Sequence, residues 1–127
     1  MSWQSYVDTS LVGSGHIDKA AIFSGGGDNI WASTPGFSVT PAEIQSLITG
    51  FSDASSLHSN GVDLAGEKYQ VVTANANTIS GKKGTEGVYA CKTNQVVVVA
   101  HSPDGVVHEQ AARVVQALGE YLNGLGY

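Results

Sequence analysis

Cysteine is the residue that this sequence most nearly lacks, because Cys91 is the only one among 127 residues. A single thiol cannot form an intrachain disulfide, and it cannot supply the paired cysteines of a redox motif or a zinc site. Cys91 lies in an apolar run beside Lys92 without a base to activate it. We therefore expect a buried structural thiol in a reducing compartment.

Charged side chains are also scarce, at 13% of the chain against 42% hydrophobic residues. This balance is typical of a folded chain of one domain, so we expect a single domain over residues 1–127. The net charge of −5 argues against general nucleic-acid binding, which needs a basic surface. The first residues do not resemble a signal peptide and no apolar run could span a membrane, so the cytoplasm is the expected location.

The motifs of catalytic and metal sites are missing as well. The four histidines have none of the spacings of a metal centre, and no nucleophile is paired with a base. The stretch Gly25–Gly27 leads into a strand and has no lysine after it, so it predicts a turn and not a phosphate loop. We expect no metal, no cofactor and no enzymatic activity, which favours a binding protein.

Three stretches of the sequence have the periodicity of helices. Apolar residues recur every four positions from Trp3 to Leu11 and predict a short helix at the N-terminus. Thr40, followed by proline and then Glu43, predicts a capping box that begins a second helix. The apolar residues between Val107 and Leu125 follow a helical stripe that predicts a long C-terminal helix.

The remaining apolar segments are typical of strands. Ala20–Phe23 and Ile30–Ala32 flank a glycine-rich turn and predict a hairpin. The later strands are separated by links too short for crossover helices, so they predict an antiparallel meander over 69–74, 78–82, 88–92 and 95–101. One face of that sheet can bury both terminal helices side by side, and the middle helix then covers part of the other face. The expected fold is α+β with a central antiparallel sheet.

Aromatic residues concentrate at the two ends of the chain. Trp3 and Tyr6 stand near the N-terminus, Tyr121 and Tyr127 near the C-terminus, and Trp31 lies on the predicted hairpin. If the terminal helices are adjacent, these five of the ten aromatic residues can meet. Ordinary core packing is one interpretation, but a first helical turn and a last residue are hard to bury. An exposed cluster with hydroxyl and indole N–H groups would suit a polyproline II ligand.

A basic segment interrupts the acidic chain. Residues 67–92 contain four lysines against two glutamates. The adjacent Lys82 and Lys83 lie on a predicted tight turn, where they could hold phosphates as point charges. Such a patch suits an acidic protein or a lipid head group, whereas a solvated strand surface is the alternative interpretation.

Sequence blocks along the whole chain resemble those of the profilin family, and they occur in the same order. The resemblance is to plant, fungal and protist members more than to vertebrate ones. It implies a central antiparallel sheet with the N- and C-terminal helices on one face. The blocks are residues 2–8, 30–32, 41–44, 64–69, 81–84, 92–93 and 118–122.

The resemblance also implies a function. Members bind actin monomers, aid their nucleotide exchange, deliver them to proline-rich proteins such as formin-like factors, and bind phosphoinositides. Carried over residue by residue, the polyproline groove of the family corresponds here to Trp3, Tyr6, Trp31, Tyr121, Leu122 and Tyr127.

The actin-binding face is implied by the same resemblance. Lys82 and Lys83 would also meet phosphoinositide head groups. The sequence departs from the family at Thr73, where many relatives carry a basic residue, and His108 aligns ambiguously with a basic position of the family. The residues that correspond to the actin face are Lys68, Val71, Lys82, Lys83 and Arg113.

A small-molecule-sensing α+β domain is the alternative function. Such a domain would enclose a ligand against its sheet. The unbroken run Val96–Val99 instead predicts a filled core.

Overall fold

The computed structural model describes residues 3–24, 29–34, 37, 39–53, 55, 61–64, 66–74, 77–103 and 105–127. Within these residues, seven strands form one antiparallel sheet. The strands are β1 (Lys19–Ser24), β2 (Ile30–Ser33), β3 (Val62–Leu64), β4 (Glu67–Ala74), β5 (Thr78–Lys83), β6 (Glu86–Lys92) and β7 (Val96–Ser102).

The sheet runs in the spatial order β2-β1-β7-β6-β5-β4-β3, which confirms the predicted hairpin and meander. Strand β7 lies between β1 and β6, and every one of its residues is buried. Its continuous apolar run follows from this position, because a strand covered on both faces has no solvent side. The three-residue strand β3 was not predicted, since alternation over only three residues is too short to identify a strand.

The N-terminal segment is helical but irregular. It begins as α1 (Trp3–Ser5), continues as a π-helical turn over Tyr6–Leu11 and ends as a 3-10 turn over Val12–Ser14. The backbone N–H of Val12 is shared between the carbonyl oxygens of Asp8 and Val7. The predicted apolar stripe is nevertheless kept, because Val7 and Leu11 are fully buried.

The middle helix, α2 (Pro41–Ser52), begins as predicted. The backbone N–H of Glu43 donates to Thr40 Oγ1 at 3.2 Å, and the N–H of Thr40 donates to Glu43 Oε1 at 2.8 Å. This capping box satisfies two backbone donors at the helix start. The C-terminal helix, α3 (His108–Gly124), has the predicted length and apolar stripe. None of the helices described is long and apolar enough to cross a membrane.

The described apolar residues form two clusters, one on each face of the sheet. The terminal helices pack together over one face, where Val7 and Leu11 meet Val115 and Leu122. Helix α2 packs on the other face through side chains such as Leu47. The expected layering of helices on an antiparallel sheet is therefore confirmed. The glycine-rich turn at 25–28 lies outside the described residues.

Candidate functional site

Five aromatic rings meet where the two ends of the chain come together, and we call Trp3, Tyr6, Trp31, Tyr121 and Tyr127 the aromatic cradle. The ring centroid of Trp3 lies 5.0 Å from that of Trp31, 5.0 Å from that of Tyr127 and 5.7 Å from that of Tyr6. Tyr121 extends the row, 6.2 Å from Tyr6. These separations are those of tilted and edge-to-face aromatic pairs. Trp3 is therefore the centre of the cradle.

The members of the cradle differ in exposure. Trp31 and Tyr127 are each 39% exposed and Tyr121 is 53% exposed, whereas Tyr6 is only 6% exposed. Burial is the main cause that raises the pKa of Tyr6, and the nearby Tyr121 raises it further, so the hydroxyl keeps its proton. Leu122 is fully buried in the core that supports the cradle. A ligand at this surface would therefore contact mainly the exposed rings.

A helix cap fixes the last ring of the cradle. The N–H of Tyr127 donates to the Leu122 carbonyl at 3.0 Å and the N–H of Gly126 donates to the Asn123 carbonyl at 3.1 Å, the bonding pattern of a Schellman motif. Gly126 takes the left-handed conformation that this motif requires, with φ of 93°. The N–H of Gln95 also donates to the Tyr127 carbonyl at 2.9 Å. The chain end is therefore held at both its N–H and its carbonyl group.

An apolar groove of about 480 Å³ continues from the cradle between α3 and the N-terminal helical segment. This groove was not predicted from the sequence. Its only signal in the sequence was the pair of small residues, Ser10 and Ser14, on the side of the N-terminal segment. It is lined by Tyr6, Ser10, Ser14, Val114, Ala117, Leu118 and Tyr121.

The two adjacent lysines of the β5–β6 hairpin lie in different surroundings. Lys82 lines a pocket of about 320 Å³ together with His108 at the start of α3. Lys83 forms an ion pair with Glu67 and lines a different cleft together with Tyr69. Successive strand residues point to opposite faces of a sheet, which explains the separation. The structure therefore does not join Lys82 and Lys83 into one patch.

Three side chains that line the pocket beside Lys82 are joined by hydrogen bonds. Tyr89 Oη lies 2.9 Å from Ser102 Oγ and 3.1 Å from His108 Nδ1. Gly87 makes room for this hydroxyl, because a β-carbon there would collide with it. Burial is the main cause that lowers the pKa of His108, and the positive charge of Lys82 lowers it further. A neutral His108 can accept the hydrogen bond of Tyr89 at Nδ1.

The other residues assigned to the actin face are distributed over β4 and α3. Lys68 and Arg113 are exposed, but Val71 is partly buried and packs against the α2 side of the core. The pairing of β4 with β5 shifts between Val71 and Thr73. Val72, at this irregularity, is 50% exposed. Val72 lies on the same side of β4 as the exposed Lys68 and Gln70, whereas Val71 lies on the side of the buried Tyr69.

A second cluster of charges lies in the cleft beside Lys83. His101 is buried, with Nδ1 2.6 Å from Asp18 Oδ1 and Nε2 3.2 Å from Glu86 Oε1. These contacts join β7 to the residue before β1 and to the first residue of β6. No group of residues suited to a metal ion is found in the part of the chain that the structure describes.

Comparison with known proteins agrees with this geometry. The family model for profilin matches residues 1–127. This chain belongs to the profilin family. The profilin of Schizosaccharomyces pombe is 46% identical over 127 residues, covering 100% of both chains. The crystal structure of Acanthamoeba castellanii profilin II, 41% identical, superposes with a TM-score of 0.95 over 99% of this chain and 100% of that one.

A more distant profilin structure includes a ligand. Mouse profilin IIa was solved in complex with a double repeat from the FH1 domain of mDia1. It is 25% identical to this chain and superposes with a TM-score of 0.84 over 100% of both chains. The fold that forms the aromatic cradle is therefore shared by a relative that was solved with a bound protein segment.

Proposed function

We propose that this profilin binds monomeric actin on one surface and proline-rich segments at the aromatic cradle, and so acts as an adaptor that regulates actin polymerisation. The observation that carries the proposal is the packing of both Trp31 and Tyr127 against Trp3, at centroid distances of 5.0 Å. A row of partly exposed rings drawn from three separate segments of the chain offers a ligand several apolar surfaces inclined to one another.

The chemistry of the cradle suits a polyproline II helix. The rings of a prolyl segment pack against aromatic faces, while its unpaired carbonyl oxygens accept hydrogen bonds from Tyr hydroxyl and Trp indole N–H groups. The ligand is already extended before binding, so it loses little conformational entropy when it docks. The contact area is modest, which favours weak and reversible binding. Formin-like proteins with proline-rich segments are the proposed partners, and the mouse complex supports this choice.

For the actin surface, we propose Lys68, Lys82 and Arg113 as the charged contacts and Val72 in place of Val71 as the apolar one. All four side chains are exposed. Lys82 pairs across the strands with Gln70, two residues from Lys68, so the two ammonium groups lie on the same face of the sheet. Binding there would support delivery of actin monomers and exchange of their nucleotide.

Phosphoinositide head groups are a further proposed ligand of the lysine-rich hairpin. Lys82 is exposed and is the better candidate for this contact, because Lys83 is already paired with Glu67. An ammonium group binds phosphate as a point charge without a fixed geometry. Competition between lipid and actin for Lys82 would follow from a shared contact.

We place this activity in the cytoplasm and treat the protein as a binding module rather than an enzyme, in line with its family. A small-molecule sensor is less well supported. Val96, Val97, Val98 and Val99 are completely buried and pack into the two cores of the described sheet. Their side chains occupy the space where a sensor would enclose its ligand.

Parallel binding measurements test the proposed function. Wild-type protein should be retained on immobilised poly-proline, and a poly-proline peptide should change its tryptophan fluorescence. Replacing Trp3 by Ala should weaken this binding by about 2 kcal/mol or more, as expected for the central residue of an interface. The variant should still bind actin monomers. Absence of poly-proline binding by the wild type would refute the adaptor role.

A further inference from the structure

The side chain of Gln4 connects the two segments that carry the tryptophans. Its Nε2 donates a hydrogen bond to the Ser33 carbonyl at 3.0 Å, and its Oε1 accepts one from the Ser33 N–H at 3.4 Å. Ser33 lies on β2, which is the edge strand of the sheet, so its outward backbone groups have no neighbouring strand. The carboxamide of Gln4 thus bonds to both backbone groups of Ser33, as a peptide group of an adjacent strand would.

Asp8 fixes the orientation of this carboxamide. Its Oδ1 accepts a second hydrogen bond from Gln4 Nε2, at 3.0 Å. A carboxylate can only accept, so the NH₂ group of Gln4 must face Asp8 and the Ser33 carbonyl. The oxygen of the amide is then directed at the Ser33 N–H. The three hydrogen bonds are mutually consistent and leave one orientation of the amide.

The connection sits next to the centre of the cradle. Gln4 directly follows Trp3, and Ser33 lies two residues after Trp31 on β2, where the pairing with β1 shifts register. The two indole rings that they flank are 5.0 Å apart with an interplanar angle of 40°.

We propose that Gln4 is a positioning residue of the polyproline site, which sets the spacing of Trp3 and Trp31 by tying α1 to the edge strand. Gln4 itself need not touch the ligand. The consequence for affinity rests on the proposed function of the cradle. The consequence for ring geometry does not, and the two are measured separately.

The test replaces Gln4 by Met, which has a similar length but lacks the amide. The chain contains only two tryptophans, and both belong to the cradle. Coupling between their indole rings therefore contributes a circular-dichroism couplet that depends on the geometry of this pair. We expect the couplet to shrink in Gln4→Met and poly-proline affinity to fall about fivefold, the factor for loss of hydrogen bonds of ordinary strength.

Gln110→Met is the matched control, because Gln110 is exposed in the first turn of α3, about 16 Å along the helix from Tyr121. It should keep both the couplet and the affinity. If Gln4→Met does not fold, Asp8→Ala serves instead, since it removes only the acceptor that orients the amide and should reduce the couplet partly.

Two outcomes would overturn the positioning role. One is a folded Gln4→Met protein with an unchanged couplet and unchanged affinity. The other is an equal loss in Gln110→Met, which would indicate a general effect of the substitution. If the wild type does not bind poly-proline at all, the proposed function fails, but the couplet still decides whether Gln4 spaces the rings.

Discussion

Gly119 of α3 lies directly against Cys91 of β6, and the sulfur atom is so close that a β-carbon on Gly119 would collide with it. The C-terminal helix can therefore approach the sheet closely at this point. Since α3 also carries Tyr121 and leads to Tyr127, this contact sets the distance between the sheet and the helix that holds these two rings of the cradle. Both residues are buried.

Gly119→Ala should lower the free energy of unfolding by about 1–2 kcal/mol, because overpacking outweighs the better helix propensity of alanine. Gly124→Ala is the control, since Gly124 belongs to the same helix and has open space around its Cα. It should be neutral or slightly stabilising. Denaturant unfolding measures both. The double variant with Cys91→Ala should recover part of the loss, and a purely additive result would contradict direct contact.

The thiol of Cys91 should make stability depend on alkaline pH. Burial, followed by the charge of Glu120, raises its pKa from 9.0 to about 11. Between these values the native state holds a proton that the unfolded state has released, so stability should fall as pH rises through this window. Comparing unfolding of wild type and Cys91→Ala across pH 9 to 11 isolates the effect. The same dependence of the free energy of unfolding on pH in both proteins would contradict this prediction. Because its thiol is buried and protonated, native Cys91 should also react slowly with an alkylating reagent.

Lys82 and Lys83 should behave differently despite being neighbours. Lys82→Glu is expected to weaken binding of actin monomers roughly tenfold, and less at high salt, because an exposed interfacial charge acts through screened attraction. Lys83→Glu should instead place two carboxylates together at Glu67, with a stability cost of up to about 1 kcal/mol and little change in actin binding. Similar actin defects in both variants would show that the two side chains share one surface after all.

Gly126 should control the position of Tyr127. Alanine at this residue must adopt a φ of 93°, which costs about 1 kcal/mol or displaces the chain end. Poly-proline affinity should therefore drop in Gly126→Ala while Gly124→Ala keeps it, as measured by peptide titration. Retained affinity in Gly126→Ala would mean that the Gln95 hydrogen bond alone holds the last residue.

Much of the fold follows from the sequence because its local signals agree. The capping box at Thr40, the hairpin and meander, and the long stripe of α3 each predicted an element that the structure contains. The π-helical turn at Tyr6–Leu11 was not predictable in this way, since a stripe of period near four fits several helical forms.

Helix caps, apolar periodicity and turn residues act over a few positions, so they could be interpreted from the amino-acid sequence alone. Together with the aromatic residues near both termini, they predicted the layers and the members of the cradle. The folded chain was needed to show that Lys82 and Lys83 line different pockets and that Gln4 reaches Ser33. Strand register, bulges and contacts across 29 residues arise when distant segments pack, and no local pattern encodes them.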